Sequence, residues 1–122
     1  MKKVILLILT IISVSAYAGK KPLIEDYDIV VAVAKAEVEK SLQAPEGELF
    51  LFAQAKGISG TFSFDITIHE KGLVATVFVV SNEAGTIKSQ NNLKDFVKAM
   101  KFNFKMPKGK DYKFNYVFNF NQ

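Results

Sequence analysis

Gly57-Ile58-Ser59-Gly60, Thr61-Phe62-Ser63-Phe64-Asp65-Ile66-Thr67-Ile68-His69, Glu70-Lys71-Gly72 and Leu73-Val74-Ala75-Thr76-Val77-Phe78-Val79-Val80-Ser81 follow one another without a break. Phe62, Phe64, Ile66 and Ile68 alternate with Ser63, Asp65, Thr67 and His69, the period of a strand with one buried face and one wet face. Glu70-Lys71-Gly72 then supplies polar residues and a glycine free to take positive φ. The chain can reverse there and return through a second run rich in β-branched residues. The stretch predicts a β-hairpin that the rest of the chain covers or extends.

On the C-terminal side, Asn82-Glu83-Ala84-Gly85-Thr86 reads as a turn and Ile87 to Asn91 as a loop. Asn92 is placed to cap a helix in which Leu93, Phe96, Val97 and Met100 fall at i, i+3, i+4 and i+7, with Lys94, Asp95 and Lys98 turned outward. Phe102 and Phe104 alternate with Asn103 and Lys105, and Met106 to Lys110 forms a turn around Pro107 and Gly109. From Tyr112 to Phe120 the aromatic residues Tyr112, Phe114, Tyr116, Phe118 and Phe120 occupy every second position. This regularity predicts a third strand, antiparallel to a neighbour, with its aromatic face on a helix and its lysine and asparagine face in water.

On the N-terminal side, Glu48 to Lys56 is apolar without clean alternation and reads as a short helix or an edge strand. The two glycines that follow favour a helix stopping at Gly57. Tyr27, Val31, Ala34, Val38 and Leu42 recur at helical spacing within Ile24 to Gln43, with Asp26 and Asp28 at the start and Ala44-Pro45-Glu46-Gly47 at the end. The run Ile29 to Val33 leaves a strand open as an alternative there. Met1-Lys2-Lys3, the apolar run Val4 to Val14 and Ala16-Tyr17-Ala18 predict a cleavable secretory signal peptide over residues 1–18, the apolar run being too short to span a bilayer. Gly19 follows where a lipoprotein would need cysteine. The expected product is a periplasmic or secreted protein with no stable membrane anchor after signal cleavage.

The chain has 122 residues, 49% of them hydrophobic, which fits one small domain with its own core. All 16 basic residues are lysine and they look interspersed among the 12 acidic ones. Without arginine, bidentate recognition of phosphate or guanine is a poor expectation, and no nucleic-acid partner is expected. Cysteine is absent, so disulfides, thiolate metal sites and cysteine nucleophiles are excluded. His69 is the single histidine. It has no second nitrogen or sulfur ligand to share a zinc ion, and it reads as a surface residue. Ser59, Ser63 and Ser81 lie in no nucleophile elbow, and the acid pairs Glu37 with Glu39 and Glu46 with Glu48 sit two apart, facing different ways on a helix. Gly57-Ile58-Ser59-Gly60 lacks the lysine and the length of a phosphate loop. No catalytic, metal or cofactor residue is assigned, and no enzyme is expected.

One longer pattern carries a resemblance. Ala53-x-x-x-Gly57-Ile58-x-Gly60-x-Phe62-x-Phe64-x-Ile66-x-Ile68-x-x-x-Gly72-x-Val74-x-x-Val77-x-Val79-x-Ser81, followed by Leu93, Phe96-Val97, Met100, Phe102, Met106-Pro107 and the closing aromatic strand, resembles the C-terminal domain of TonB. The resemblance implies an α+β fold: a small three-stranded antiparallel sheet packed against one or two helices, here with an extra N-terminal helix. It divides the chain into residues 1–18, an N-terminal helical segment over 19–47 and the TonB-like domain over 48–122. It departs from the family in having only three prolines, hence no proline-rich spacer, and in carrying Leu49-Phe50 where a tyrosine-proline pair is common.

The resemblance also implies partner binding along the last strand, through Tyr112, Lys113, Phe114, Asn115, Tyr116, Val117, Phe118 and Asn119, with Lys113, Asn115 and Asn119 setting register. Sheet edges display unpaired backbone groups and capture extended peptides. The expected function is an exported interaction module that adds a strand from an envelope protein, linked to outer-membrane transport, with a homodimer through the same edge as a further possibility. A carrier or inhibitor holding a small apolar ligand between helix and sheet is the alternative, prompted by eleven phenylalanines.

Overall fold

The computed structural model describes residues 21–120, so the expected signal peptide over residues 1–18 lies outside the described residues. Six elements follow in order: α1 (Tyr27–Ser41), α2 (Glu48–Lys56), β1 (Thr61–Ile68), β2 (Val74–Glu83), α3 (Ile87–Lys98) and β3 (Tyr112–Asn119). The three strands form one antiparallel sheet in the order β2-β1-β3. This is the expected small α+β fold, with the hairpin's first arm at its centre.

The period-two reading of β1 holds residue by residue. Phe62, Phe64, Ile66 and Ile68 are all 0% exposed, and a buried side chain of that size contributes roughly 1.5–3 kcal/mol. Phe114 and Phe118 bury beside them from β3, while Leu93 and Val97 of α3 and Val30, Ala34 and Val38 of α1 close the same core from the helix side. Helix α1 lies along β3 and α3 along β2, with α2 between the two. The N-terminal helical segment thus shares one core with the rest. The space between helices and sheet is occupied by the protein's own side chains, which is where the apolar-ligand alternative would need room.

Local chemistry explains the boundaries. Asp26 caps α1 by accepting from the Asp28 amide, and Gly57 ends α2 in the left-handed region at φ 66°. The buried stripe of α1 is Val30, Ala34 and Val38, rotated from the expected one, with Tyr27 exposed and Val31 and Leu42 half-buried. The apolar run Ile29–Val33 offers neighbouring stripes, and packing against β3 chooses between them. Ile87 to Asn91, expected as a loop, is the first turn of α3; Thr86 is its cap, through Oγ1 accepting from the Ser89 amide, and Asn92 lies inside. Ser89 takes the core-facing position four residues before Leu93 and is 5% exposed, a polar residue standing where the apolar stripe continues.

Residues 101–105 pass between the N-terminal lead and the hairpin turn. Leu23 bridges Lys105 and Leu73 bridges Lys101, while the Phe102 and Met106 amides donate to Gly72 and Glu70 carbonyls. Gly72, at φ 81°, leaves no space for a Cβ, which would fall 2.4 Å from the Phe104 carbonyl oxygen.

Candidate functional site

A sheet of three strands has two margins, and β3 forms one of them. Phe120 donates its amide to the Gly60 carbonyl, and the register continues unbroken from Thr61 opposite Asn119 to Ile68 opposite Tyr112. Backbone groups alternate in direction along a strand, so Tyr112, Phe114, Tyr116 and Phe118 bond toward β1. The N–H and C=O groups of Lys113, Asn115, Val117 and Asn119 therefore face away from the sheet. The Lys113 carbonyl confirms this parity, since it accepts the Tyr27 hydroxyl at 2.7 Å from outside.

The eight expected site residues separate into three roles. Phe114 and Phe118, 4% and 0% exposed, are core. Tyr112 and Tyr116 are half-buried at the contact with α1. The Tyr112 ring meets Tyr27 edge-on at 5.2 Å and its hydroxyl donates to the Glu25 carbonyl, while Tyr116 packs on Phe118 at 4.8 Å. Burial, with the Glu39 charge in second place, raises the Tyr116 hydroxyl above its usual pKa.

Lys113, Asn115, Val117 and Asn119 lie on the open face. The Asn115 amide nitrogen is engaged inward, donating to Ser63 Oγ, the Phe64 carbonyl and Asp65 Oδ1 at 2.9–3.2 Å. Asn119 Oδ1 accepts from Thr61 Oγ1. These two asparagines tie β3 to β1 across the open face, so their side chains hold this sheet's own register. Val117, 55% exposed, is the apolar side chain the open face presents on β3.

At the end of β3 a groove of about 340 Å³ opens beside Asn119, lined by Leu42, Phe50, Ala53, Gln54, Ile58 and Phe120. Sequence reasoning missed it, because it joins three separate segments. A larger groove of about 780 Å³ lies between the end of α1, the α1–α2 connection and the end of α3, lined by Phe96 and Met100 together with Glu37, Lys40 and Lys101. Both Glu37 carboxylate oxygens face the Asn103 amide, at 3.1 and 3.2 Å. Desolvation raises the Glu37 pKa, against the opposing effects of that hydrogen bond and of Lys21 and Lys40.

His69 Nδ1 lies 2.7 Å from Asp111 Oδ1 with both side chains about half exposed. The contact fastens the hairpin turn to the start of β3, assisted by the Gly109 amide donating to Glu70 Oε1. Ser59, Ser63 and Ser81 are not brought to His69: Ser63 belongs to the Asn115 network, and Ser81 lies opposite it across the sheet. Among the described residues no cluster of three metal-ligating side chains occurs.

Compared with protein-family models, with curated proteins and with solved structures, the chain matches none.

Proposed function

We propose that the protein is a non-enzymatic interaction module, exported to the periplasm or secreted, that binds an extended segment of an envelope protein by strand addition along β3. The observation that carries this reading is the outward row of backbone groups at Asn115 and Val117 on a strand of unbroken register. An added strand would bond to those groups, and alternate side chains would be selected by what lies beside the margin. The groove bounded by Leu42, Phe50 and Phe120 offers an apolar receptacle at the strand's end. The TonB-like pattern in the sequence favours the same margin and a link to outer-membrane transport. The filled core favours binding at the margin over an apolar ligand held between helix and sheet.

The chain's lack of cysteine makes the test clean. A photo-crosslinker attached at Val117→Cys should capture an envelope protein, whereas the same probe at Phe78→Cys on the opposite margin should not. Capture should disappear in a chain that also carries Asn115→Pro but survive with Asn115→Ala, because both delete the side-chain bonds to Ser63, Phe64 and Asp65 and only proline removes the outward donor. Equal capture at both positions, or capture indifferent to the proline, would exclude strand addition at β3.

A further inference from the structure

The lysines that look interspersed along the sequence converge in three dimensions. Residues 101–105 lie between the N-terminal lead and the β1–β2 turn, joined by the Leu23–Lys105 and Leu73–Lys101 bridges. The loop that follows is tied to the same turn by the Met106 amide on the Glu70 carbonyl and the Gly109 amide on Glu70 Oε1. These bonds gather Lys71, Lys101, Lys105, Lys108 and Lys110, all exposed, at one end of the sheet. Lys21 joins them, donating through Nζ to the Lys71 carbonyl at 3.0 Å.

Against these six lysines stand four carboxylates, Glu25, exposed one residue past the Ile24–Lys105 hydrogen bond, and three that are engaged. Asp111 is paired with His69, Glu70 accepts from Gly109, and Glu37 accepts from Asn103 and is half-buried. Two aliphatic side chains stand among the lysines, Leu23 at 52% and Leu73 at 41% exposed. Bridged residues point to the same side of a ladder, so Leu23 stands beside Lys105 and Leu73 beside Lys101.

We infer that this end of the sheet docks reversibly on the surface of an anionic lipid bilayer. Charge complementarity selects an anionic occupant, and the protruding leucines select one with an apolar layer just beneath its charges. Lysine suits a diffuse negative surface, since its compact charge does not need the paired geometry that arginine gives to a single phosphate. The docking is peripheral and uses none of the β3 margin, so it stands or falls independently of strand addition.

Residues 19–122, which carry every described element and the whole described core, would be mixed with vesicles of phosphatidylcholine alone or with roughly one third phosphatidylglycerol, and the bound fraction read by sedimentation. Binding should require phosphatidylglycerol and weaken steeply as salt rises. Each lysine near an anionic leaflet multiplies affinity by about fivefold, so Lys105→Glu, Lys108→Glu and Lys110→Glu together should cost roughly a hundredfold or more. The same charge change placed elsewhere, Lys35→Glu, Lys56→Glu and Lys88→Glu, should cost far less. Leu73→Ser should weaken binding severalfold without altering its salt dependence. No binding by the unaltered chain would overturn the inference, as would equal losses from the two triple variants. Leu73→Ser without effect, together with equally tight binding to soluble polyglutamate, would overturn the bilayer as occupant and assign the patch to acidic polymers.

Discussion

The two margins of the sheet share a central strand and differ in almost everything that governs pairing. β2 has ten residues, and its register against β1 shifts twice, between Ser63 and Phe64 and between Thr67 and Ile68. β3 has eight and no shift. An extra residue on a strand increases its twist and interrupts the row of outward donors and acceptors, so β2 is protected against adding a strand. Yet β2 carries the more exposed apolar side chains, Phe78 at 66% and Val80 at 51%. Apolar exposure and pairing competence are thus separated on this sheet: the greasier margin is bulged, and the regular margin is polar apart from Val117. The Tyr27 hydroxyl guards β3 at the Lys113 carbonyl, which closes the strand's first outward acceptor and leaves the row beginning at Asn115.

The largest effect belongs to what both margins share. Phe64 lies opposite Val79 on one side and Tyr116 on the other and is fully buried. Phe64→Ala should cost about 3–5 kcal/mol in urea unfolding and loosen both margins together in hydrogen exchange. Loss of protection in β2 alone would show that β3 is held by α1 more than by the central strand.

A pair of prolines divides the two directions of one strand. Tyr116 bonds toward β1 and Val117 faces outward, so Tyr116→Pro should leave the Phe64 carbonyl only the Asn115 side chain, remove the half-buried ring and cost about 2–3 kcal/mol, whereas Val117→Pro should cost under about 1 kcal/mol. Equal costs in denaturant titration would mean that the outward row is already occupied within the fold, and the contrast between the margins would collapse.

Much of this was readable from alternation. Phe62 through Ile68 and Tyr112 through Phe118 place their own faces, because a one-residue slip would move every large side chain into water. Where the structure departs from that reading, the cause is local. The first turn of α3 is hidden by Ser89, a polar residue in a core-facing position, and by Ile87, an apolar one that is 66% exposed. The bulges in β2 could not be read, since Leu73 to Val80 contains so many apolar residues that its period is lost. The candidate margin was legible as a strand, but the roles within it were not. Asn115 and Asn119 look like groups awaiting a partner until β1 supplies Ser63, Asp65 and Thr61 from fifty or more residues away.

Removing the guard on β3 should sharpen the asymmetry. Tyr27→Phe keeps the ring contact with Tyr112 and deletes the hydroxyl that closes the Lys113 carbonyl. The loss of one partly exposed hydrogen bond should cost about 0.5–1.5 kcal/mol. It should also lengthen the open row by one acceptor, so concentration-dependent self-association in sedimentation velocity should increase. A drop in stability with no gain in association would mean that the hydroxyl braces α1 without shielding the margin.

The smallest effect reads whether α1 stays over β3. Tyr116 is held neutral mainly by burial and secondarily by Glu39, so its hydroxyl should ionise above the ordinary value of 10.0. A pKa raised in the folded state means stability that is fully present below the unfolded value and lost as pH climbs through the folded one. Urea midpoints should therefore fall more steeply above about pH 10 for the native chain than for Tyr116→Phe. Glu39→Gln should lower the pKa only in part, as read from the Tyr116 ring resonances, because the larger cause is desolvation beneath α1. A return to the ordinary value in Glu39→Gln would make the carboxylate the main cause. It would also imply that water reaches this face of β3, which the bulged margin across the sheet could then no longer be contrasted with.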